Sequence, residues 1–481
     1  MFGSLRMQYD NLGQWVENLK SVGEVVELSG VHWNKAMGVV SQLARKRREG
    51  PALLFSGIPD YQPDFTVLVN SLGSTKRLAL ILRLGEISGY RDLVNKWKTK
   101  WKGLKLIPPL AVTNGPVLKN RCVGKDVDLH RFPAPHWHEL DGGRYLGTGC
   151  VVIVKDPDTG WINLGTYRVQ LQSKNEVTCY IGSTHHGSMI RQKYLQAGKR
   201  CPVAIVLGAD PLLLLTASAL GVPLQHSEYD YAGGIKGEPI SVITGEMTGL
   251  PFPADAEAVL EGHWDFNSKF SEGPFGEFTG YYASGIREEA RIEVQAAYFR
   301  DKPIFLGGPP TRPPNEGTFV NSILLSGSVE EELKGMGLPD LQGVWCHEAG
   351  AARMLTVVAI KQRYPGHAKQ ALVAASNTYT NIHNKIVIVV DDDVDITNLE
   401  EVMWAVCTRI DPEHDVEILR RCASTILDPA VPRGGTPRTS RLLIDATRPY
   451  ERREQFARVI SINEEIENKV RAEWGHLLNL R

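Results

Sequence analysis

Two glutamates flank a short turn, in the run Glu272-Gly273-Pro274-Phe275-Gly276-Glu277. Proline fixes one backbone angle and lacks an N–H, and glycine adopts conformations that other residues resist, so this run is not a regular helix. The two carboxylates are therefore predicted to lie on a shaped loop. Such acids can divide labour, because one stays ionised beside a cation while the other keeps its proton as a general acid. The competing interpretation is a surface turn with two solvated carboxylates.

Four polar side chains upstream could join this pair. Asn163 and Arg168 share one predicted strand, His186 follows in the tandem His185-His186, and Glu228 comes later. Mn²⁺ or Mg²⁺ accepts amide oxygen, imidazole and carboxylate ligands, and a guanidinium offers a planar fork to a carboxylate. The offset from position 163 to position 168 is odd, so a regular strand would direct Asn163 and Arg168 to opposite faces. Taken alone, each residue is better interpreted as a satisfied polar side chain.

The segments around these residues predict two different architectures. Between residues 110 and 306, short β-rich runs alternate with turns such as Asp156–Gly160, which predicts a mainly antiparallel sheet or barrel. The stretch from Pro303 to Gly317 is dense in Gly and Pro and predicts a domain boundary. From 318 to 432, alternating helical and β-branched runs predict an α/β layer with parallel strands. These runs are Met354–Ile360, His367–Asn377, Lys385–Val390 and Leu399–Thr408.

The two ends of the chain carry helical patterns. At the start, the residues at helical spacing are Leu12, Trp15, Val16, Leu19 and Val22. At the end, the apolar face of a charged helix consists of Ile462, Ile466, Val470, Trp474 and Leu477. Such a helix packs either on its own subunit or on a partner subunit. We therefore predict a multidomain α+β and α/β protein divided into residues 1–109, 110–306, 318–432 and 433–481.

Composition argues against several classes of protein. The 54 Lys and Arg balance 55 Asp and Glu, so no net positive field attracts nucleic acid or anionic lipid. The seven Cys are odd in number and form no C-x-x-C pair, which argues against a disulfide framework or a thiolate zinc site and fits a reducing cytoplasm. The longest apolar run, around Leu212–Leu220, is too short to span a bilayer. Charged residues interrupt the N-terminal segment where a secretory signal needs an apolar core. We expect a cytoplasmic protein without a membrane span.

The order of the polar residues resembles that of the UbiD-type decarboxylases, which use prenylated FMN. The resemblance extends over roughly residues 110–448, where separated motifs agree in order and spacing. These motifs are Phe132–Glu139, Asp141-Gly142-Gly143, Asn163 with Arg168, His186, Glu228, Glu272 with Glu277, and Lys385–Asp393. It implies a split β-barrel flavin-binding domain, as in flavin reductases, at 110–306 and an α/β oligomerisation domain at 318–432. It also implies a homodimer or homohexamer.

The same resemblance implies a cofactor site built around metal ions. Asn163, His186 and Glu228 would hold Mn²⁺ or Mg²⁺, which binds the flavin phosphate, and Lys385 would add a cation. His186 is assigned to the ion by its separation from Asn163 and Glu228, and His185 to the flavin. K⁺ would bind mainly backbone oxygens, with Glu228 shared between the ions. The K⁺ positions are Leu164, Ala217, Ser218 and Leu220, and the remaining flavin contacts are Gly165, Thr166, Tyr167, Arg168 and Ser218.

The resemblance also implies a reaction. Arg168 would orient the substrate carboxylate, Glu272 would hold Arg168 in an ion pair, and Glu277 would deliver the proton that replaces CO₂. The substrate would be an aromatic, heteroaromatic or α,β-unsaturated carboxylic acid, since such an acid is conjugated to a π-system that can engage the cofactor. The reaction would be non-oxidative and reversible, with a flavin prenyltransferase as the cofactor supplier.

Two other classes of protein remain open. His136 and His138 could mark a flavin-independent, metal-dependent decarboxylase or hydrolase, although such enzymes place the pair at the end of an early barrel strand. A non-catalytic subunit of a larger complex would bind partners but release no CO₂. Asp391-Asp392-Asp393 could be taken for a Mg²⁺ site, but we interpret it as a solvated acidic turn.

Overall fold

A computed structural model describes residues 9–45, 48–432, 434–460 and 463–477. Its helices are α1 Leu12–Ser21, α2 Ala36–Ala44, α3 Thr75–Ile81, α4 Tyr90–Lys102, α5 His186–Gln196, α6 Pro211–Ala219, α7 Glu228–Lys236, α8 Glu316–Gly335, α9 His367–Ser376, α10 Leu399–Arg409 and α11 Glu464–Trp474.

The strands of the described residues form four sheets. In chain order they are β1 Val25–Ser29, β2 Ala52–Ser56, β3 Thr66–Val69, β4 Leu110–Ala111, β5 Asn120–Val123, β6 Tyr145–Gly147, β7 Cys150–Lys155, β8 Ile162–Gly165, β9 Val169–Leu171, β10 Glu176–Cys179, β11 Cys201–Leu207, β12 Ser241–Thr244, β13 Pro251–Pro253, β14 Ala258–Glu272, β15 Arg287–Phe299, β16 Ile304–Gly307, β17 Leu341–Cys346, β18 Leu355–Ile360, β19 Ile386–Asp391, β20 Val416–Ala423 and β21 Arg438–Ala446. The sheet orders are β1-β2-β3-β16, then β6-β9-β10-β15-β14-β11-β7-β8 with β5 beside β15, then β13-β12-β4, and finally β17-β18-β19-β21-β20.

The largest sheet is antiparallel, and the hairpin β14–β15 in the middle of its strand order carries the two predicted acids. Its antiparallel pairing agrees with the pattern predicted for residues 110–306. Strands β7 and β11 are buried almost along their whole length, as expected for their continuous apolar sequences. The longer hairpin β14–β15 changes register between Asp265 and Lys269, where the strands can bend. Glu272 and Arg287 are the last pair of this ladder, so the loop 273–286 starts from a fixed base.

The C-terminal sheet has the α/β organisation predicted from the sequence. Strands β18, β19 and β21 pair in parallel, and β17 and β20 add antiparallel edges. Helices α9 and α10 occupy the two segments that were predicted to be helical. Val358 and Val389 on the strands and Ala371 on α9 belong to one buried apolar cluster. Helices therefore cover a parallel sheet whose strands read as continuous apolar runs.

One segment departs from the prediction. Ile304–Gly307 forms β16 and pairs in parallel with β3, so it belongs to the N-terminal sheet. The expectation that residues 303–317 only connect two domains is therefore wrong at their beginning. The apolar triplet at 304–306 explains the difference, because Phe305 and Leu306 are buried in that sheet.

The terminal helix α11 leaves most of its apolar face uncovered on this chain. Ile466, Trp474 and Leu477 are exposed, at 60 %, 45 % and 68 %. Ile462, which was predicted to share that face, lies outside the described residues.

None of the described helices is both long enough and apolar enough to cross a bilayer.

Candidate active site and cofactor cavity

One guanidinium joins the two predicted acids. Arg168 follows β8, Glu272 ends β14, and Glu277 lies in the loop 273–286. Nε and Nη2 of Arg168 donate to the two oxygens of Glu272 at 2.7 and 2.9 Å, and Nη1 donates to Oε1 of Glu277 at 3.0 Å. A bidentate pair of this kind fixes the planes of both groups. The structure brings together the three residues predicted to be catalytic.

The surroundings of the two carboxylates differ. The side chain of Glu272 is 0 % exposed, whereas that of Glu277 is 13 % exposed. Burial alone would lower the pKa of the Arg168 guanidinium, but its hydrogen bond to Glu272 and the charges of both glutamates raise that pKa. The hydroxyl of Tyr145 donates to Oε1 of Glu272 at 3.4 Å, and burial raises the pKa of Tyr145. Glu272 is thus enclosed by partners, while Glu277 can reach a ligand.

A separate cavity of about 240 Å³ collects the residues predicted to bind the ions and the flavin. Those that line it are Asn163, Leu164, Gly165, Thr166, Tyr167, His185, His186, Ala217, Ser218 and Glu228. Of the residues predicted to lie here, Leu220, Arg168 and Lys385 are outside the lining. Strand β8 and the starts of α5 and α7 therefore meet at one place, although they are far apart in the sequence.

Asn163 and Glu228 provide a donor set that suits a hard divalent cation. Nδ2 of Asn163 donates to Oε1 of Glu228 at 2.9 Å, and the N–H of Leu164 donates to Oε2 at 2.7 Å. Oδ1 of Asn163 is buried and has no hydrogen-bond partner among the described residues, which is costly unless another group completes it. Burial raises the pKa of Glu228 to about 7, although the N–H of Leu164 and the amide of Asn163 oppose the rise. A cation would favour the ionised carboxylate and use the free amide oxygen.

His186 is in the form that metals bind. It is the first residue of α5, and its ring lies 5.4 Å from that of Trp161. Burial lowers its pKa, and the neighbouring His185 lowers it further, which favours the neutral imidazole. Nδ1 of His185 lies 3.1 Å from the carbonyl oxygen of Gly182. The described residues contain no group of three or more His, Cys, Asp or Glu that could hold a metal ion. The set proposed here has only two such residues, His186 and Glu228, and its third member is the amide of Asn163.

A larger cavity, of about 680 Å³, lies between the loop 273–286 and the C-terminal sheet. Gly276 and the segment 279–282 line it on one side, and Lys385 and Asp428 line it on the other. Nζ of Lys385 binds Oδ2 of Asp428 at 2.8 Å. The hydroxyl of Thr279 donates to the carbonyl oxygen of Leu427 at 3.3 Å, which links the two walls. Lys385, predicted to bind the flavin, therefore lies in this cavity, next to the loop that bears Glu277.

The alternative metal site at His136 and His138 has few ligands. Nδ1 of His138 is 3.6 Å from Oδ2 of Asp141, whereas Nε2 of His136 contacts the carbonyl oxygen of Asp141 at 3.1 Å. The described residues add no third imidazole, thiolate or second carboxylate in metal-binding geometry. The pair instead belongs to the turn that supports the loop 273–286.

The acidic run at 391–393 is an ion-pair cluster. Arg409 binds Asp391 at 3.0 Å and Asp393 at 2.9 Å, and Arg448 binds Asp391 at 3.2 Å. The interpretation of this run as a solvated turn is wrong for Asp391, which is buried. Two arginines neutralise its charge, a contact that the local sequence does not reveal.

The sequence reasoning missed Gln170, which ties the hairpin loop to a glycine turn. Nε2 of Gln170 donates to the carbonyl oxygen of Gly142, and the N–H of Gly273 donates to Oε1 of Gln170, both at 3.1 Å. The N–H of Gly142 donates to the carbonyl oxygen of Pro274 at 2.8 Å. A signal was present, because Gln170 lies two residues after Arg168 and shares its strand face in an extended chain.

Gly142→Ala is expected to lower activity by displacing this loop. A Cβ at Gly142 would overlap the backbone carbonyl of Gly273, so the turn and the hairpin loop cannot keep their contact. Forcing a methyl group into a packed contact costs roughly 1–3 kcal/mol. Thermal unfolding and CO₂ release measure the effect. Gly103→Ala is the matched control, because its added methyl group would have no atom nearer than 3.8 Å. Equal behaviour of the two variants would contradict the assignment.

Comparison with known proteins matches most of the chain to one family. Residues 110–313 match the Rift-related domain of 3-octaprenyl-4-hydroxybenzoate carboxy-lyase, residues 318–446 its C-terminal domain and residues 16–97 its N-terminal domain. A curated relative is the pyrrole-2-carboxylic acid decarboxylase of Pseudomonas aeruginosa. It is 32 % identical over 418 residues, which cover 83 % of each chain.

Solved structures share the whole fold. The vanillic acid decarboxylase of Sedimentibacter hydroxybenzoicus in its open form is 29 % identical, with a TM-score of 0.84 over 98 % of this chain and 99 % of that one. The UbiD-class enzyme HmfF of Pelotomaculum thermopropionicum, in complex with FMN, is 24 % identical, with a TM-score of 0.86 over 96 % and 100 % of the two chains. The mixed α/β multidomain fold is common to all three. The chain belongs to the UbiD family and is a carboxy-lyase, that is, a decarboxylase.

Proposed function

We propose that this protein is a reversible, non-oxidative decarboxylase of an aromatic, heteroaromatic or α,β-unsaturated carboxylic acid and that it uses prenylated FMN. The main support for this proposal is that the Arg168 guanidinium forms ion pairs with both Glu272 and Glu277. By their names, the curated relative acts on pyrrole-2-carboxylic acid and the structural neighbour on vanillic acid. Both acids carry the carboxylate on an aromatic ring. Structures of the same fold hold FMN and prFMN.

The three catalytic residues have separate roles in this proposal. Arg168 orients the substrate carboxylate, and Glu272 keeps the guanidinium in place through two hydrogen bonds. Glu277 donates the proton to the carbon that loses CO₂, because it is the carboxyl group with an exposed side. The prenylated flavin supplies the electron sink that no amino-acid side chain offers. The protein contributes position and acid.

We assign the ions to the smaller cavity. Asn163, His186 and Glu228 would hold Mn²⁺ or Mg²⁺, which would anchor the flavin phosphate. The buried Oδ1 of Asn163, which has no hydrogen-bond partner among the described residues, supports this assignment. K⁺ would be held mainly by backbone oxygens, with Glu228 shared between the two ions. The proposed K⁺ positions are Leu164, Ala217, Ser218 and Leu220, and the proposed flavin contacts are Gly165, Thr166, Tyr167, His185 and Ser218. Lys385 would add its positive charge from the larger cavity, where it pairs with Asp428.

The larger units have proposed roles too. The antiparallel sheet of residues 110–306 would be a split β-barrel that binds the flavin, and residues 318–432 would mediate assembly into a homodimer or homohexamer. Residues 1–109 and 433–481 form the flanking units. The exposed apolar face of α11 supports contact with a partner subunit. A flavin prenyltransferase would supply the cofactor.

Co-production with a flavin prenyltransferase tests the proposal. The purified protein is expected to show a flavin-derived absorption band and to release CO₂ from at least one acid in a panel of hydroxybenzoic, heteroaryl and acrylic acids. Protein produced without the prenyltransferase is the control and should be inactive. Activity without flavin would instead favour the metal-dependent alternative. A flavin-loaded protein that releases no CO₂ from any acid would favour a non-catalytic subunit.

A further inference from the structure

Arg168, Glu272 and Glu277 are part of a closed ring of contacts that includes two further residues. Starting from Arg168, the ring passes through Glu277 to Ser284, whose hydroxyl donates to Oε1 of Glu277. Nη2 of Arg287 donates to the carbonyl oxygen of Ser284 at 3.0 Å, and Nε of Arg287 lies 3.7 Å from Oε2 of Glu272. Glu272 closes the ring on Arg168. The loop 273–286 therefore folds back on itself, so that Ser284 near its C-terminal end contacts Glu277 in its first half.

An aromatic ring joins the two arginines of this ring of contacts. The guanidinium carbon of Arg287 lies 3.7 Å from the centroid of the Tyr180 ring, and that of Arg168 lies 4.8 Å from it. Contacts between guanidinium groups and aromatic faces are attractive. Arg287 also begins β15, opposite Glu272 in the ladder. The support of Ser284 thus comes from the rigid base of the hairpin.

The two oxygens of Glu277 differ in their hydrogen bonds. Oε1 accepts from Nη1 of Arg168 and from the hydroxyl of Ser284, whereas Oε2 has no hydrogen-bond donor in the described part of the chain. A protonated carboxyl group carries one O–H and keeps an acceptor oxygen. Two donors on Oε1 leave Oε2 as the oxygen available to a proton when the carboxyl group is protonated. The orientation of Oε2 is then fixed from two directions.

We propose that Ser284 is a positioning residue, which holds Glu277 so that the proton on Oε2 faces the reacting carbon. The inference rests on the proposed function, since it assumes that Glu277 is the proton donor. Arg168 alone leaves the carboxyl group free to rotate about one contact. Ser284 removes that freedom, and proton transfer needs donor and acceptor within hydrogen-bond reach.

Paired substitutions at 284 test the proposal on the flavin-loaded enzyme. Ser284→Ala is expected to lower kcat about tenfold with KM unchanged, which is the size of one lost hydrogen bond. The rate at which the product takes up deuterium from D₂O at the former carboxyl position should fall by the same factor. Ser284→Thr keeps a hydroxyl, so its turnover and its deuterium uptake should be close to those of the wild type. Ser284→Val has a side chain of the same size as Thr but no hydroxyl, and both rates should stay low. Ser271→Ala, an exposed serine on β14, is the matched control.

The outcomes separate this inference from the proposed function. Wild-type kcat and exchange in both Ser284→Ala and Ser284→Val would overturn the role of Ser284, even if Glu277→Gln is inactive. Should Ser284→Ala not fold, the Thr and Val pair still decides, because the two side chains differ by a hydroxyl and a methyl group. Equal loss in Thr and Val would also overturn it, because the hydroxyl would then be irrelevant. An active Glu277→Gln would instead contradict the proposed function.

Discussion

Glu277→Gln is expected to abolish turnover while the purified protein keeps its flavin absorption band. Gln has nearly the same shape and can still accept from Arg168 and Ser284 through its carbonyl oxygen, so the loop should keep its conformation. It cannot deliver a proton. General acid catalysis contributes roughly 10²–10⁴-fold, and a loss of that size in kcat is expected. CO₂ release measured against flavin content gives the result.

The control for this variant comes from the same hairpin. Glu288→Gln removes an exposed carboxylate one residue beyond Arg287, on β15, and should leave kcat unchanged. The flavin band should be equal in both variants, because neither residue lines the smaller cavity. If Glu277→Gln turns over at the wild-type rate, another group donates the proton and the assignment fails.

Most of the residues that the sequence predicted for each site lie together in the structure, but the way in which they are divided between two places was not predicted. Asn163 and Arg168 were expected to face opposite sides of one strand. The structure separates them, because β8 ends at Gly165 and Arg168 lies beyond it, before β9. Asn163 therefore serves the cavity beside α5 and α7, and Arg168 serves the hairpin loop. The sequence predicted which side chains belong to the candidate sites, and the end of a strand determined where each of these two lies.

The contacts that the sequence did not reveal are long-range and lie in loops. Thr279 bonds Leu427 across 148 positions, and Asp428 pairs with Lys385 across 43. Ser284 lies in a loop without helical or strand periodicity, so no pattern predicts where its hydroxyl points. The β16 strand was missed for a related reason, since its partner β3 lies more than two hundred residues earlier. Periodicity reports on local structure, whereas these contacts depend on how separate elements pack.

Glu228→Gln is expected to remove both the divalent ion and the flavin from the purified protein. The substitution keeps an oxygen near Asn163 but loses the negative charge that offsets the cation. Among the described residues, Glu228 is a buried carboxylate without a basic partner within salt-bridge distance. Changing a residue that only supports a metal ligand already costs about 10–100-fold in affinity or activity, and a ligand should cost at least as much. Metal content per polypeptide and the flavin band are the two measurements. CO₂ release should fall with them.

Excess Mn²⁺ distinguishes a weakened site from a misfolded protein. Because Asn163 and His186 remain, high Mn²⁺ with added cofactor should restore part of the flavin band in Glu228→Gln. Glu238→Gln, an exposed acid just beyond α7, is the matched control and should retain both ion and flavin. Full metal and flavin content in Glu228→Gln would mean that the ion binds elsewhere. Lys385 in the larger cavity would then become the remaining candidate anchor for the phosphate, because it is the cation predicted beside the flavin and its side chain already reaches that cavity.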